Sequence, residues 1–183
     1  MAQTTGLSRF LNIPDLDKAV PDMVNCNMLS VTMMTQIVLP QMVARRKGII
    51  INLSSELGRH PAPLAVLYGA TKAFVDFFSR GLEAEYRSRG IIVQSVLPLL
   101  VSTNMTFNVA PNRFVKSAED YAREALNTVG LTSRTSGCLS HAIKAFFCDL
   151  LLPEWFRLSS FGFKLQTNLW RRMKDTVAVS KRK

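Results

Sequence analysis

The chain reads Ile-Asn-Leu-Ser-Ser over 51–55 and, thirteen residues after Ser55, Tyr-Gly-Ala-Thr-Lys over 68–72. The first stretch closes an apolar run, 49–53, of strand length, as in a strand buried in a parallel sheet. The loop 54–65 carries Gly58, Pro61 and Pro63, and 66–89 reads as one long helix ended by Gly90. Tyr68 and Lys72, four apart, share one face of that helix. A serine at the C-terminal end of the preceding strand points into the same space, where open α/β sheets bind their ligands.

Outward from this unit the order is helix, strand, helix, strand. Residues 15–46 read as a helix in two parts. Ile13-Pro14-Asp15 starts a short one, and Pro21-Asp22 opens a longer one with Val24, Met28, Val31, Met34 and Val38 at helical spacing. Pro40 is placed to kink it, and Gly48 behind Arg45-Arg46-Lys47 marks a cationic helix end with a glycine stop. A second buried-type strand spans 91–97 and stops at Pro98. Ser117 and Asp120 are spaced as a capping box for a helix over 117–129. Residues 135–139 fit a short edge strand, and 140–174 read as amphipathic helical segments interrupted at Pro153. Phe74, Phe77, Phe78 and Leu82 form a stripe on the 66–89 helix, read as core or as a helix interface. The pattern is βαβ, hence an α/β parallel sheet. A length of 183 residues and 48% apolar content suit one globular domain. Within it 1–137 is the α/β region and 138–183 a basic amphipathic helical extension.

The net charge of +10 is uneven. Residues 134–183 hold ten Lys/Arg against three Asp/Glu, and 1–133 hold thirteen against ten. A basic tail bearing aromatics suits an anionic membrane surface or simply a solvated helix face. No nucleic-acid motif accompanies it, so a membrane is favoured over nucleic acid. Cys26, Cys138 and Cys148 form no CxxC pair and read as reduced, buried thiols. His60 and His141 are too few for a metal site and read as ordinary loop or helix-surface residues. No apolar core of a signal peptide occupies residues 1–20, and no run reaches the ~18 apolar residues of a spanning helix.

Three tyrosines and nine lysines give roughly 0.15 chance Tyr-x-x-x-Lys pairs, and a serine thirteen residues upstream lowers this to roughly 0.01. With that context the sequence resembles the short-chain dehydrogenase/reductases. Asn27, Ser55, Tyr68 and Lys72 match that family's Asn-Ser-Tyr-Lys tetrad. Pro-Leu-Leu-Val-Ser-Thr (98–103) resembles its segment after the sixth strand, with Leu99 in place of the usual Gly. The resemblance implies a catalytic set of Asn27, Ser55, Tyr68 and Lys72, with Ser55 also holding the substrate oxygen. It implies cofactor contacts from Lys72, Pro98, Val101 and Thr103, the cofactor being NADP(H), and no metal. Tyr68 would protonate a carbonyl oxygen, its phenol pKa depressed by Lys72, the helix N-terminus and the oxidised nicotinamide. Asn27 would position a water joining Lys72 to solvent. Read alone, Asn27 is a packing or surface residue, Ser55 ends a strand and Thr103 starts a helix.

Val-Leu-Pro-Gln-Met-Val (38–43), Ala-Thr-Lys-Ala-Phe-Val-Asp-Phe-Phe-Ser (70–79), Glu-Tyr-Arg-Ser (85–88), Val-Gln-Ser-Val-Leu-Pro (93–98) and Thr-Val-Gly-Leu-Thr-Ser-Arg-Thr-Ser-Gly (128–137) are similar to one branch. It is the very-long-chain 3-oxoacyl-CoA reductases, or type 12 17β-hydroxysteroid dehydrogenases, with type 3 a near relative. The branch implies a lipid substrate (3-oxoacyl-CoA or steroid), a homodimer, and the cytosolic face of the endoplasmic reticulum membrane. Ser180-Lys181-Arg182-Lys183 keeps one lysine of the dilysine retrieval signal frequent there. The family's Thr-Gly-x-x-x-Gly-x-Gly turn and Asn-Asn-x-Gly segment do not occur, so the expected fold is the C-terminal half of a Rossmann-like doubly wound parallel sheet, incomplete. It would hold the equivalents of strands 5 to 7, with 49–53 an exposed apolar edge. Two functions follow: the catalytic half of an NADPH-dependent lipid carbonyl reductase, or a truncated, non-catalytic homologue that dimerises through the 22–46 and 66–89 helices.

Overall fold

The computed structural model describes residues 7–106, 108–112 and 115–180, with 172–180 as backbone alone. Helix α1 (Leu16–Val24) passes through a five-residue π turn (Asn25–Leu29) into α2 (Ser30–Ala44). The break falls at the π turn and not at Pro21, which lies inside α1 where its missing N–H forfeits one helical bond. Pro40 likewise sits within α2. The left-handed residue that ends α2 is Arg46 (φ 52), whereas Gly48, expected as the stop, opens β1 (Gly48–Leu53).

Helix α3 (Val66–Tyr86) tightens into a 3-10 turn (Arg87–Arg89) and ends at Gly90 (φ 78), where a Cβ would strike the Arg46 carbonyl. β2 (Ile91–Val96) follows. The short parallel pair β3 (Val101–Ser102) and β4 (Lys116–Ser117) was not foreseen from sequence. After α4 (Ala118–Leu126), β5 (Arg134–Thr135) completes a parallel sheet of order β1-β2-β5. Register pairs Ile50 with Val93 and Leu53 with Val96. The fold is α/β and its sheet small, in keeping with an incomplete Rossmann-like half. Ser117 caps α4 by accepting from the Asp120 amide. Its hydroxyl meets the Asp120 carboxylate at 2.7 Å, so that carboxylate does not turn to the cap's own amide as a full capping box requires.

One face of the sheet packs on α2 and α3, where Ile50, Leu82, Ile91 and Val93 form a core with Leu39, Met42 and Phe78 around it. On the other face Val96, Tyr121 and Cys138 form a second cluster. β1 alternates buried and exposed: Ile50 and Asn52 face the helices while Ile49, Ile51 and Leu53 face out. The apolar run therefore makes a strand buried on one side only, at the sheet's edge. The buried face of α3 is Thr71, Val75, Ser79 and Leu82. Phe74 and Phe78 stack half-buried beside it, with Phe78 against the core, while Phe77 is exposed, so only part of the predicted stripe meets the core.

The 138–180 region forms α5 (Leu139–Leu151), α6 (Glu154–Leu158) and α7 (Ser160–Ser180). No helix among the described residues is long and apolar enough to cross a membrane. Lys181, Arg182 and Lys183, three of the four residues of the retrieval-like terminus, lie outside the described residues. Two sequence expectations fail here. Cys26 and Cys148 are exposed, leaving only Cys138 buried, and His141 is fully buried rather than on a surface. His60 meets Asp149 at 2.9 Å, half-buried.

Candidate active site

The end of β1 is tied down on two sides. The Ser54 amide donates to the Val96 carbonyl at 2.8 Å, and its hydroxyl donates to the Lys72 carbonyl at 2.6 Å. Ser55, next along, is extended (φ −164, ψ 153) and caps the following 3-10 turn by accepting from the Leu57 amide at 3.2 Å. Gly69 lets that turn lie against the first turn of α3, since a Cβ there would stand 2.8 Å from the Leu57 carbonyl oxygen.

This packing gathers Ser55, Tyr68 and Lys72. The Ser55 hydroxyl comes close enough to the Tyr68 phenol to act on its pKa. The Lys72 Nζ lies 5.7 Å from the Tyr68 ring centroid and donates to the Leu53 carbonyl at 2.9 Å. Asn27, in the π turn, donates its amide to the Thr71 hydroxyl at 3.0 Å and so ends one residue short of Lys72. Such π turns recur at functional sites, because they expose backbone groups that a regular helix would pair.

In the chain alone, burial sets the electrostatics of the group. Burial pushes the Tyr68 phenol above its ordinary value, and the hydrogen bond from Ser55 only partly offsets this. Burial also pushes the Lys72 ammonium below its ordinary value, against a smaller opposing effect of Cys26. The phenol is not depressed here because desolvation dominates and the ammonium is engaged by the Leu53 carbonyl.

Pro98, Val101 and Thr103 follow the C-terminal end of β2, beside the end of β1. The Glu56 amide donates to the Pro98 carbonyl at 3.1 Å, joining the two loops. Val101 lies in β3, paired with Lys116. The Thr103 amide donates to the Thr106 hydroxyl at 2.9 Å and its own hydroxyl lies 3.4 Å from that atom. Thr103 thus organises its own turn, and among the described residues no hydrogen bond joins it to Ser55, Tyr68 or Lys72.

Sequence reasoning passed over three residues. Thr71, inside the Tyr-Gly-Ala-Thr-Lys motif, joins Asn27 to α3 and was legible from its place between Tyr68 and Lys72. Glu56 accepts from Arg59 at 2.6 Å and from the Ser136 hydroxyl at 2.8 Å. Asp76, buried in α3, accepts from Ser95 at 2.7 Å and Arg134 at 3.1 Å, joining α3 to β2 and β5. The Glu56–Arg59 pair is local, but the bond to Ser136 and the Asp76 bonds to Ser95 and Arg134 join residues far apart in sequence and leave no local signal.

A profile of the family described as "short chain dehydrogenase" matches residues 2–113. The very-long-chain 3-oxoacyl-CoA reductase of Anas platyrhynchos is 51% identical over 142 residues, 78% of this chain and 46% of that protein. The chain spans about half the length of the curated relatives it matches. Among solved structures, a bulky-bulky ketone specific alcohol dehydrogenase from Comamonas testosteroni is 31% identical, with a TM-score of 0.57 over 66% of this chain and 45% of that one. A short-chain dehydrogenase from Sphingobium yanoikuyae in complex with NADPH is 25% identical, with a TM-score of 0.62 over 81% of this chain and 61% of that one.

The residues present fit one end of a dinucleotide. Lys72, Tyr68, Ser55 and the turn carrying Thr103 lie where strands β1 and β2 end, suited to a nicotinamide and its ribose. The described residues ahead of β1 are helices and turns without a strand or a glycine-rich turn, so they supply no pyrophosphate cradle.

Proposed function

Because this chain belongs to the short-chain dehydrogenase family, we propose that it carries the proton-transfer half of a reductase for 3-oxoacyl-CoA thioesters in fatty acid elongation, with NADPH as reductant. The gathering of Ser55, Tyr68 and Lys72 at the end of β1 is the observation that supports this most strongly. A 17-ketosteroid is a second substrate of the same carbonyl chemistry. The nicotinamide cofactor, when bound, supplies the hydride.

The chain's own residues manage the proton. Ser55 holds the carbonyl oxygen, and Tyr68 gives that oxygen its proton. A phenol ordinarily loses its proton near pH 10, so action near pH 7 needs about 4 kcal/mol of phenolate stabilisation. Lys72 supplies much of it once its ammonium swings from the Leu53 carbonyl toward the ribose and the phenol. Thr103 and its turn close over the nicotinamide end with Pro98 and Val101. Asn27, braced on Thr71, shapes the π turn through which protons reach Lys72.

The remaining assignments belong to the same reading. The 1–137 region is the catalytic part and 138–183 a basic helical extension whose outward apolar face rests on the cytosolic side of the endoplasmic reticulum membrane. Helices α2 and α3 pair two copies through Met33, Met34, Ile37 and Phe77, all exposed. A second reading, a non-catalytic homologue that acts by that pairing, is favoured by the outward apolar side chains of α2 and α3.

The deciding experiment replaces the matching half of the Anas platyrhynchos reductase with residues 13–183 and follows NADPH oxidation with a long-chain 3-oxoacyl-CoA. Turnover is expected, with Tyr68→Phe lowering kcat by several orders of magnitude at nearly unchanged NADPH affinity. Turnover that survives Tyr68→Phe removes Tyr68 from the proposed role. No turnover with NADPH bound favours the non-catalytic reading.

A further inference from the structure

Strand β2 sends alternate amides toward β5. The Ser95 amide donates to the Ser133 carbonyl at 2.8 Å, and the Leu97 amide to the Thr135 carbonyl at 2.7 Å. The next amide in that series belongs to Leu99, but β5 ends at Thr135. At that place the Leu99 amide donates to Nδ1 of His141 at 3.2 Å. We infer that His141 is a positioning residue: its imidazole extends the sheet by one rung and fixes the 98–103 turn, which carries Pro98, Val101 and Thr103.

The surroundings suit this task. His141 is fully buried and, with Ala145, forms the buried stripe of α5. Its ring packs on Tyr121 at 5.3 Å between centroids and a 32° tilt. The Tyr121 hydroxyl in turn donates to the Ser136 carbonyl at 3.0 Å, holding the turn from which α5 springs. On the other side of the same segment, Glu56 reaches the Pro98 carbonyl. The turn is therefore gripped from both flanks, by backbone toward β1 and by an imidazole toward β5. An apolar side chain at 141 would leave a buried amide without an acceptor. A carboxylate would bring an unpaired charge to a fully buried position.

An Nδ1 that accepts means a neutral ring with its proton on Nε2. Burial keeps the imidazole pKa below its ordinary value. Lys144 on the same helix and Lys116 on β4 act in the same direction, opposed by Glu56 and the Leu100 backbone. Tyr121 on α4 also flanks it, and Cys138 before α5 packs with Tyr121. Protonation at Nδ1 removes the acceptor, so the turn should loosen on acidification.

The importance of the turn for cofactor binding rests on the reading above, whereas the rung itself can be tested without cofactor or substrate. In the 183-residue chain, nitrogen NMR of His141 should show the Nε2–H tautomer. Hydrogen exchange at the Leu99 amide, corrected for intrinsic rate, is compared with that at Ser95 as internal reference. His141→Phe keeps the ring and loses the acceptor, so Leu99 should exchange about tenfold faster relative to Ser95. His141→Asn places an amide oxygen where Nδ1 stood and should stay within about threefold of the unmodified chain. Because burial lowers the His141 pKa, relative protection of Leu99 should hold through the ordinary histidine range near pH ~6.5 and fall only at more acid pH in the unmodified chain, and not in His141→Asn. Unchanged protection in His141→Phe, or equal loss in both variants, overturns the inference. Should His141→Phe fail to fold, an Nδ1–H tautomer or a flat pH profile in the unmodified chain overturns it equally.

Discussion

The Asn27 amide donates to the Thr71 hydroxyl at 3.0 Å, and that hydroxyl donates to the Tyr68 carbonyl at 2.8 Å. Thr71 is 1% exposed, so this relay is the buried seam between the π turn and α3. It fixes Asn27 to the helix that carries both Tyr68 and Lys72.

Thr71→Val keeps the shape and removes the relay. Asn27 then loses its partner at a half-buried site, and the expected cost is about 1–3 kcal/mol of unfolding free energy, read as a lower urea midpoint. Thr71→Ser keeps the hydroxyl and should cost only about 1 kcal/mol for the lost methyl. Equal losses in the two variants would show that packing, not the hydrogen-bond relay, holds the seam.

Alkaline pH should destabilise this chain through two phenols. Burial raises both Tyr68 and Tyr121 above the ordinary tyrosine value, with a smaller opposing hydrogen bond from Ser55 at Tyr68. Above pH ~10 the unfolded chain loses these protons while the native one keeps them. The native state then binds more protons, so stability falls as pH rises. In a Tyr86→Phe protein, phenolate absorbance should therefore appear only together with loss of helical ellipticity. Ionisation near pH 10 in a still-folded protein would contradict the burial of these rings.

Much of the fold was legible because its signals are local. The runs that became β1 and β2, the Gly90 stop and the Ser117 cap each announce themselves within a few residues. The meeting of Ser55, Tyr68 and Lys72 was legible as well, since strand end and helix face fix their directions. What escaped depends on long-range partners. The Tyr68 phenol is raised by burial, which depends on everything packed around the ring, and the Lys72 Nζ donates to the Leu53 carbonyl. His141 reads as a surface histidine until Leu99, 42 residues earlier, is seen to need an acceptor. Gly48 looked like a helix stop because glycine favours the left-handed region, yet Arg46 adopts it and Gly48 opens the strand.

Strand β1 should govern solubility. Ile49, Ile51 and Leu53 are 51%, 40% and 61% exposed along an edge strand, an apolar row beside unpaired backbone. Such edges template intermolecular pairing. Ile51→Lys places a charge there at little folding cost, since that side chain lies on the outward face of the strand and a lysine stem can carry its ammonium into water. The variant should remain monodisperse at concentrations where the unmodified chain scatters light, with its urea midpoint within about 0.5 kcal/mol. Unchanged aggregation would place the sticky surface elsewhere.

The helices after β5 carry their apolar residues outward. On α5, Ile143, Phe146, Phe147, Leu150 and Leu151 are all exposed, followed by Trp155 on α6 and Phe161 on α7. Lys164 and Arg171 lie on the same stretch, and Trp155 is 74% exposed. This is the pattern of an interfacial element, in which apolar side chains enter the headgroup boundary and cations meet anionic lipids at ~1 kcal/mol per basic residue. Deleting 138–183 is a poor test, because it would also remove Cys138 and His141 from the core. Phe146→Ser, Leu150→Ser and Trp155→Ser together touch only solvent-facing positions. The unmodified chain should float with vesicles containing anionic phosphatidylserine, and the triple variant should lose at least about tenfold in partitioning. High salt should weaken the unmodified chain's binding through its cations. Equal flotation of both proteins would mean that this face does not meet the bilayer.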